Sequence, residues 1–314
     1  MTMNAKTYEL KIIIPNKLFE ASANIKDQIQ AWLISNGVES FVEGVIDDLY
    51  IDHRYDQELD DYYSDLGGEK TPLSIFDYSL EYLEDLKAKL YESFSELDLQ
   101  ISSMDSEVWM EGWKESFKPI FSEKVIVYPP WDKPQDDSGR LFVEIEPGMA
   151  FGTGQHATTQ VCLSAIEKLD PAKTGKKLLD VGTGTGVLAI AAFKLGYSDI
   201  VATDIDHSAV KATEENARQN NVTLKALKTS VPVMEDNNGQ IEVYDVVVAN
   251  ILFVVLSKII DDLAKVTKKH GTLILSGLLE EQCGEMLSLA EAEGLSLVSK
   301  TVKDDWVCLV MEKK

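Results

Sequence analysis

From about residue 156 onward the chain alternates strand-like and helix-like patterns, and this alternation constrains the fold more than any other feature. Apolar, β-branched runs predict strands at 177–181, 200–203, 223–228, 243–249, 272–276, 296–302 and 307–311. Helical spacing predicts helices at 158–169, 186–195, 208–220, 253–266 and 280–293. Repeated strand–helix units build a parallel, doubly wound α/β sheet with helices on both faces. The last two strands flank Asp304 and Asp305 with no helix between them. They therefore form a hairpin, and one strand runs antiparallel.

The first hundred residues follow a different order. Residues 8–14 read as a strand stopped by Pro15, and 17–36 as an amphipathic helix closed by Gly37. A strand over 38–51, an acidic Tyr-rich loop over 52–70 and a short strand over 71–76 follow. Leu80, Leu83, Leu86, Leu90 and Phe94 mark a second helix, and 97–102 a last strand. The order β-α-β-β-α-β is that of an α+β ferredoxin-like domain. Residues 108–121 place Trp109, Trp113 and Phe117 on one face of a helix, for which interdomain packing is the plainest role. Strands at 125–128 and 141–145, around Pro129-Pro130-Trp131 and a turn at 132–139, read as a hairpin-like connector. These patterns divide the chain into 1–105, a connector at 106–150, and 151–314. A length of 314 residues has room for two domains.

Charge excludes some functions. The chain carries 53 acidic and 30 basic side chains, a net charge of −23. Phosphate backbones and anionic membranes need clustered cations, so direct nucleic-acid or membrane binding is not expected. Residues 1–100 hold 21 acidic and 8 basic side chains and are the most acidic part. Such a field keeps a protein soluble and also draws a cationic partner. Three cysteines without a CxxC pair make no disulfide framework, which points to a reducing, cytoplasmic setting. No secretory h-region opens the chain, and charged or polar residues interrupt the apolar stretches at 178–195 and 246–260.

The chemistry concentrates at Asp180-Val181-Gly182-Thr183-Gly184-Thr185-Gly186, which follows a strand and opens a helix. Glycines let the backbone approach a ligand at the strand's carboxyl end. Val187 stands where a dinucleotide fingerprint needs its third glycine, and Asp180 adds a negative charge that a pyrophosphate would not welcome. Asp204 ends the next strand, placed to accept both hydroxyls of a ribose. A nucleoside without a phosphate grip fits this pair, and S-adenosylmethionine, a cationic nucleoside, fits best. Asn250 ends a further strand and faces the cofactor's reactive end, or caps the helix that follows.

Asp180 to Gly186 together with Asp204 resembles motifs I and II of the class I S-adenosylmethionine-dependent methyltransferases, whose domain is Rossmann-like. Pro147-Gly148-Met149-Ala150-Phe151-Gly152-Thr153-Gly154-Gln155-His156-Ala157-Thr158-Thr159 resembles the signature of the PrmA family, the methyltransferase of large-subunit ribosomal protein 11. Trp113-Lys114-Glu115-Ser116-Phe117-Lys118-Pro119, Val248-Ala249-Asn250-Ile251-Leu252 and Trp306-Val307-Cys308 are similar to that family as well. Gln155 and Ala157 depart from its usual Thr and Pro. The resemblance implies a ferredoxin-like substrate-recognition domain at the N-terminus and methylation of lysine and N-terminal amino groups on a basic ribosomal protein. It places cofactor contacts at Thr159, Gly182, Asp204 and Asn250; the glycine loop adds Asp180, Gly184 and Gly186.

Displacement at a sulfonium has a good neutral leaving group, so neither a nucleophilic residue nor a metal is required, and the enzyme mainly positions the reactants. His156 either takes the substrate's proton or orders its loop, and Asn250 positions the reacting groups. Phe151 is expected to line the transfer point. Two other readings stay open: a related methyltransferase acting on a different protein lysine or a small molecule, and a non-catalytic nucleoside-binding module.

Overall fold

The computed structural model describes residues 6–21, 25–36, 38, 42–43, 72–77, 79–105, 117–136, 138–147, 154–233 and 241–314. The chain divides into two compact units, Met1–Ser116 and Phe117–Lys314.

In the first unit β1 (Lys6–Ile13) is followed by α1 (Asn16–Ala21), α2 (Ile25–Ser35), β2 (Val42–Glu43), β3 (Leu73–Asp77), α3 (Leu80–Ser93) and β4 (Asp98–Asp105). The strands form one antiparallel sheet in the order β2-β3-β1-β4. Leu10 and Ile12 of β1 pack with Ile29 and Leu33 of α2 and Leu83, Leu86 and Leu90 of α3. The leucine spacing thus turns one stripe of α3 onto the sheet. Ser79 starts that helix by accepting the Tyr82 N–H at 3.2 Å. The helix expected over 17–36 occurs as the separate helices α1 and α2, with 22–24 outside the described residues. Of the strand expected over 38–51 only β2 is described, and the acidic loop at 52–70 lies outside the described residues.

The second unit opens with β5 (Ile120–Phe121), β6 (Val125–Tyr128) and β7 (Leu141–Glu144). Two expectations fail here. The helix expected over 108–121 does not reach its end: Phe117 to Pro119 are irregular and Ile120–Phe121 is a strand, because Pro119 cannot donate to a helix and restricts its predecessor. Residues 106–116, with Trp109 and Trp113, lie outside the described residues. Moreover, β6 and β7 pair in parallel, not as a hairpin. The stretch from Pro129 to Arg140 is long enough to return the chain to the starting edge, which a hairpin turn cannot do. The antiparallel partner of β6 is β5.

The main sheet follows. After α4 (Ala157–Lys168) come β8 (Lys177–Val181), α5 (Val187–Lys194), β9 (Asp199–Asp204), α6 (His207–Gln219), β10 (Lys225–Lys228), β11 (Tyr244–Asn250), α7 (Phe253–Val266), β12 (Thr267–Leu279), α8 (Cys283–Ala292), β13 (Leu295–Lys303) and β14 (Trp306–Lys313). The strand order is β10-β9-β8-β11-β12-β14-β13. All pairs are parallel except those of β14 with β12 and β13. The expected antiparallel strand is therefore β14, turned back through Asp304 and Asp305 at φ 48° and 64°. This is the left-handed pair that a two-residue hairpin demands. One core lies on the side of α4 and α5 and includes Val125, Val127 and Val143 of the small sheet. The other lies on the side of α7 and α8. Among the described residues no helix is long and apolar enough to cross a membrane.

Just past the last pairing of β12 with β11, Gly277 has φ 91° and a Cβ there would lie 2.3 Å from the Ile251 carbonyl oxygen. Backbone atoms yield less readily than side-chain ends. Gly277→Ala is therefore expected to destabilise the protein by about 2 kcal/mol or more, measured by urea unfolding.

Candidate cofactor site

The carboxyl ends of β8, β9 and β11 meet where the strand order reverses on either side of β8, the usual place for a crevice in an open α/β sheet. The glycine loop leaves β8 there. Gly182 and Thr183 donate their N–H groups to the Thr203 carbonyl at 2.8 and 3.0 Å, and Gly186 donates to the Thr183 carbonyl at 2.9 Å. Gly182, Gly184 and Gly186 have φ of 69°, 56° and 82°. At Gly182 a Cβ would meet Ile251 Cγ2 at 2.3 Å, so the loop needs a residue without a side chain at this point.

The structure brings both aspartates to this loop in different roles. Asp204 ends β9; its Oδ2 accepts the Gly184 N–H at 2.9 Å and its Oδ1 the Asp206 N–H at 3.1 Å. Partial burial raises its pKa, opposed by those two backbone donors. Each carboxylate oxygen retains a second lone pair for a ligand hydroxyl. Asp180 lies beneath the loop, only 1% exposed, and accepts the Thr183 hydroxyl at 2.8 Å. Burial pushes its pKa up to about 7, against the Thr183 hydrogen bond; the neighbouring Asp204 charge adds to the rise.

A third group sits at the end of β11. Asn250 is 9% exposed, and its Nδ2 donates to Thr159 Oγ1 at 3.4 Å. Its Oδ1 is buried and has no hydrogen-bond partner among the described residues. It does not cap α7, whose N-cap is Leu252. Thr159 lies in the first turn of α4, whose N-cap is His156. The Thr158 N–H donates to His156 Nδ1 at 3.3 Å, with Thr158 Oγ1 at 2.8 Å. That arrangement makes Nδ1 an acceptor and puts the proton of the neutral ring on Nε2. Nδ1 is thus committed to the cap, and the ring meets the edge of Trp306 at a centroid distance of 4.9 Å.

Sequence reasoning missed Thr183, which ties the loop to Asp180; next to Asp204, Ile205 is 61% exposed. Phe151 and the rest of 148–153 lie outside the described residues. Among the described residues no group of three or more His, Cys, Asp or Glu side chains is placed to hold a metal ion.

The family model for PrmA, described as ribosomal protein L11 methyltransferase, matches residues 20–314. The chain belongs to this family. A ribosomal protein L11 methyltransferase of Staphylococcus saprophyticus is 33% identical over 299 residues, covering 90% of this chain and 94% of the relative. One from Geobacter metallireducens is 39% identical over 213 residues, 68% of each chain. The crystal structure of a ribosomal protein L11 methylase from Lactobacillus delbrueckii subsp. bulgaricus superposes with a TM-score of 0.56 at 31% identity, covering 63% of this chain and all of that one. The mixed α/β sheet is thus that of a PrmA methyltransferase, and the crevice described above lies where its β8, β9 and β11 end.

The buried acid has a consequence for stability. A pKa raised to about 7 means that the folded state holds this proton more tightly than the unfolded chain, whose value is near 3.8. That contribution is complete below the unfolded value and is lost as pH rises through about 7. Asp180→Asn is neutral throughout and lacks this dependence. Its Tm relative to the parent protein is expected to rise between about pH 5 and pH 8, read by thermal melts; a constant difference would show that Asp180 is not a buried acid.

Proposed function

We propose that the protein transfers methyl groups from S-adenosylmethionine to lysine and N-terminal amino groups of ribosomal protein L11. The observation that carries the cofactor assignment is Asn250 Oδ1. It is a buried acceptor left open beside Thr159 at the end of β11, and a buried polar atom of this kind calls for a donor from a ligand. The rest of the crevice fits the same group. The positive-φ glycines keep the wall at Gly182, Gly184 and Gly186 low, Asp204 offers a carboxylate for ribose hydroxyls, and Ile205 offers an apolar surface for a base.

When bound, S-adenosylmethionine supplies a methyl group on a sulfonium, whose departure leaves a neutral thioether. The chain's own contribution is position. Asp204 and the glycine loop would hold the nucleoside, and Thr159 steadies the Asn250 amide, which would hold the amino-acid portion. Asp180 acts through Thr183 by bracing the loop from beneath. His156 orders the start of α4 instead of moving a proton, since its Nδ1 is used in the cap. Deprotonating a lysine of pKa about 10.4 costs about 4.6 kcal/mol at about pH 7, and an apolar surround lowers that cost.

The names of the relatives support ribosomal protein L11 as the acceptor. The net charge of −23 favours a basic protein over nucleic acid or an anionic membrane. We assign residues 1–105 as a ferredoxin-like recognition domain, 106–150 as a connector whose strands β6 and β7 pack into the core of the second compact unit, and 151–314 as the methyltransferase domain. The sheet order β2-β3-β1-β4 supports the first assignment. Cysteines 162, 283 and 308 are buried free thiols, which fits a reducing cytoplasm.

Titration calorimetry tests the cofactor. Binding of S-adenosylmethionine is expected for the parent protein, and Asp204→Ala should weaken it about tenfold or more, since both the ribose contact and the Gly184 anchor go. Labelled cofactor with purified L11 tests the acceptor. Absence of heat with the parent protein overturns the cofactor; heat without label on L11 overturns the acceptor.

A further inference from the structure

One face of α6 carries Thr213, Asn216 and, at its C-cap, Asn220, three and four residues apart and all buried. Such spacing stacks the three side chains in a column. Instead of packing apolar atoms, the column holds the backbone of two separate segments. Thr213 Oγ1 donates to the Gly184 carbonyl at 3.0 Å. Asn216 Nδ2 donates to the Thr185 carbonyl at 2.9 Å, and Asn216 Oδ1 accepts the Glu146 N–H at 2.9 Å. Asn220 Oδ1 accepts the Glu144 N–H at 2.9 Å, and its Nδ2 donates to the carbonyls of Glu144 and Asn216.

Asn216 is therefore the member that touches both segments. On one side is the glycine loop. On the other is the end of β7, two residues past the strand, where the chain enters Pro147 and the signature segment that leads to Thr159. A planar amide has a donor and an acceptor at a fixed separation, so one side chain sets the spacing between a carbonyl of the glycine loop and an N–H of the chain leaving β7. At 1% exposure no water stands ready to replace either bond.

We infer that Asn216 is a positioning residue that couples the glycine loop to the chain leaving β7, so that the loop keeps its place at the cofactor crevice. This rests on the crevice being the S-adenosylmethionine site. The residue acts through Thr185 and Glu146.

Asn216→Asp cuts this link in a pH-dependent way. A buried carboxyl has a raised pKa and is protonated at low pH, where it still accepts from Glu146 N–H and donates to the Thr185 carbonyl. At high pH the carboxylate faces that carbonyl without a proton, and the bond to the glycine loop is lost. Affinity for S-adenosylmethionine relative to the parent protein is expected to fall about tenfold at pH 8.5 and less than about threefold at pH 5.5. Asn216→Ala buries no charge and should lose about tenfold at both pH values. Asn220→Ala removes contacts that stop at Glu144 and its own helix; it should lower Tm yet keep the affinity within about threefold.

Hydrogen exchange on the cofactor-free proteins supplies a readout that does not depend on binding. Asn216→Ala should speed exchange in peptides covering both 182–190 and 141–147, and Asn220→Ala only in the second. Unchanged exchange over 182–190 in folded Asn216→Ala, or an affinity ratio for Asn216→Asp equal at the two pH values, overturns the coupling. If the parent protein binds no S-adenosylmethionine, the cofactor reading falls, while the exchange data still decide the coupling.

Discussion

The crevice depends on how closely three backbone segments approach at Ile251. Gly182 presses on its side chain and Gly277 on its carbonyl, and at each a Cβ would come within 2.3 Å of an Ile251 atom. The Ile251 N–H also donates to the Ser276 carbonyl at 3.1 Å. The end of β11 is thus wedged between the exit of β8 and the irregular point of β12 at Gly277. Asn250 precedes this wedge by one residue, so its side chain is aimed by packing that any substituent at either glycine would disturb. Position is what a methyl transfer needs most, because the leaving group requires little help.

Around that wedge, buried polar atoms are paired almost throughout. Asp180 takes Thr183, Asp204 takes Gly184, and Asn216 spans Thr185 and Glu146. In a poorly hydrated interior each such bond is costly to break, which makes a loop of small residues stiff without bulk. Among the described residues here, the Asn250 Oδ1 at the end of β11 and the Thr203 hydroxyl of β9 are the buried exceptions. The acids are also divided by depth. Asp204 stays partly accessible at a strand end, while Asp180 is enclosed and holds its proton to about pH 7. Proximity in sequence suggested that both face the ligand; burial assigns Asp180 to the loop itself.

Legibility differed with the range of the interactions involved. Apolar runs and helical spacing placed β8 at 177–181 and α7 at 253–266 with the ends observed, because local pattern and burial agree there. The aspartate pair at 304–305 announced the hairpin that makes β14 antiparallel. Residues 120–144 misled. Strand-like pieces around a Pro-rich turn read as a hairpin, yet β6 and β7 are parallel, since nothing in either strand's own sequence encodes the direction of its partner. Asn216 was invisible for a related reason. An asparagine inside an amphipathic helix looks like surface until two distant backbone segments are found against it.

The sequence by itself determined the doubly wound alternation, the glycine turn after β8, the carboxylate ending β9 and the amide ending β11. Each of these depends on residue type and spacing within a few positions, and the same residues carried the family resemblance. Only the tertiary structure decided that β6 and β7 are parallel, that Asp180 is sealed under its loop, that His156 spends Nδ1 on a helix cap, and that Asn216 bonds two backbone segments far apart in the chain. Those outcomes depend on which segments, far apart in the chain, exclude water from one another, and burial of that kind is a property of the packed whole.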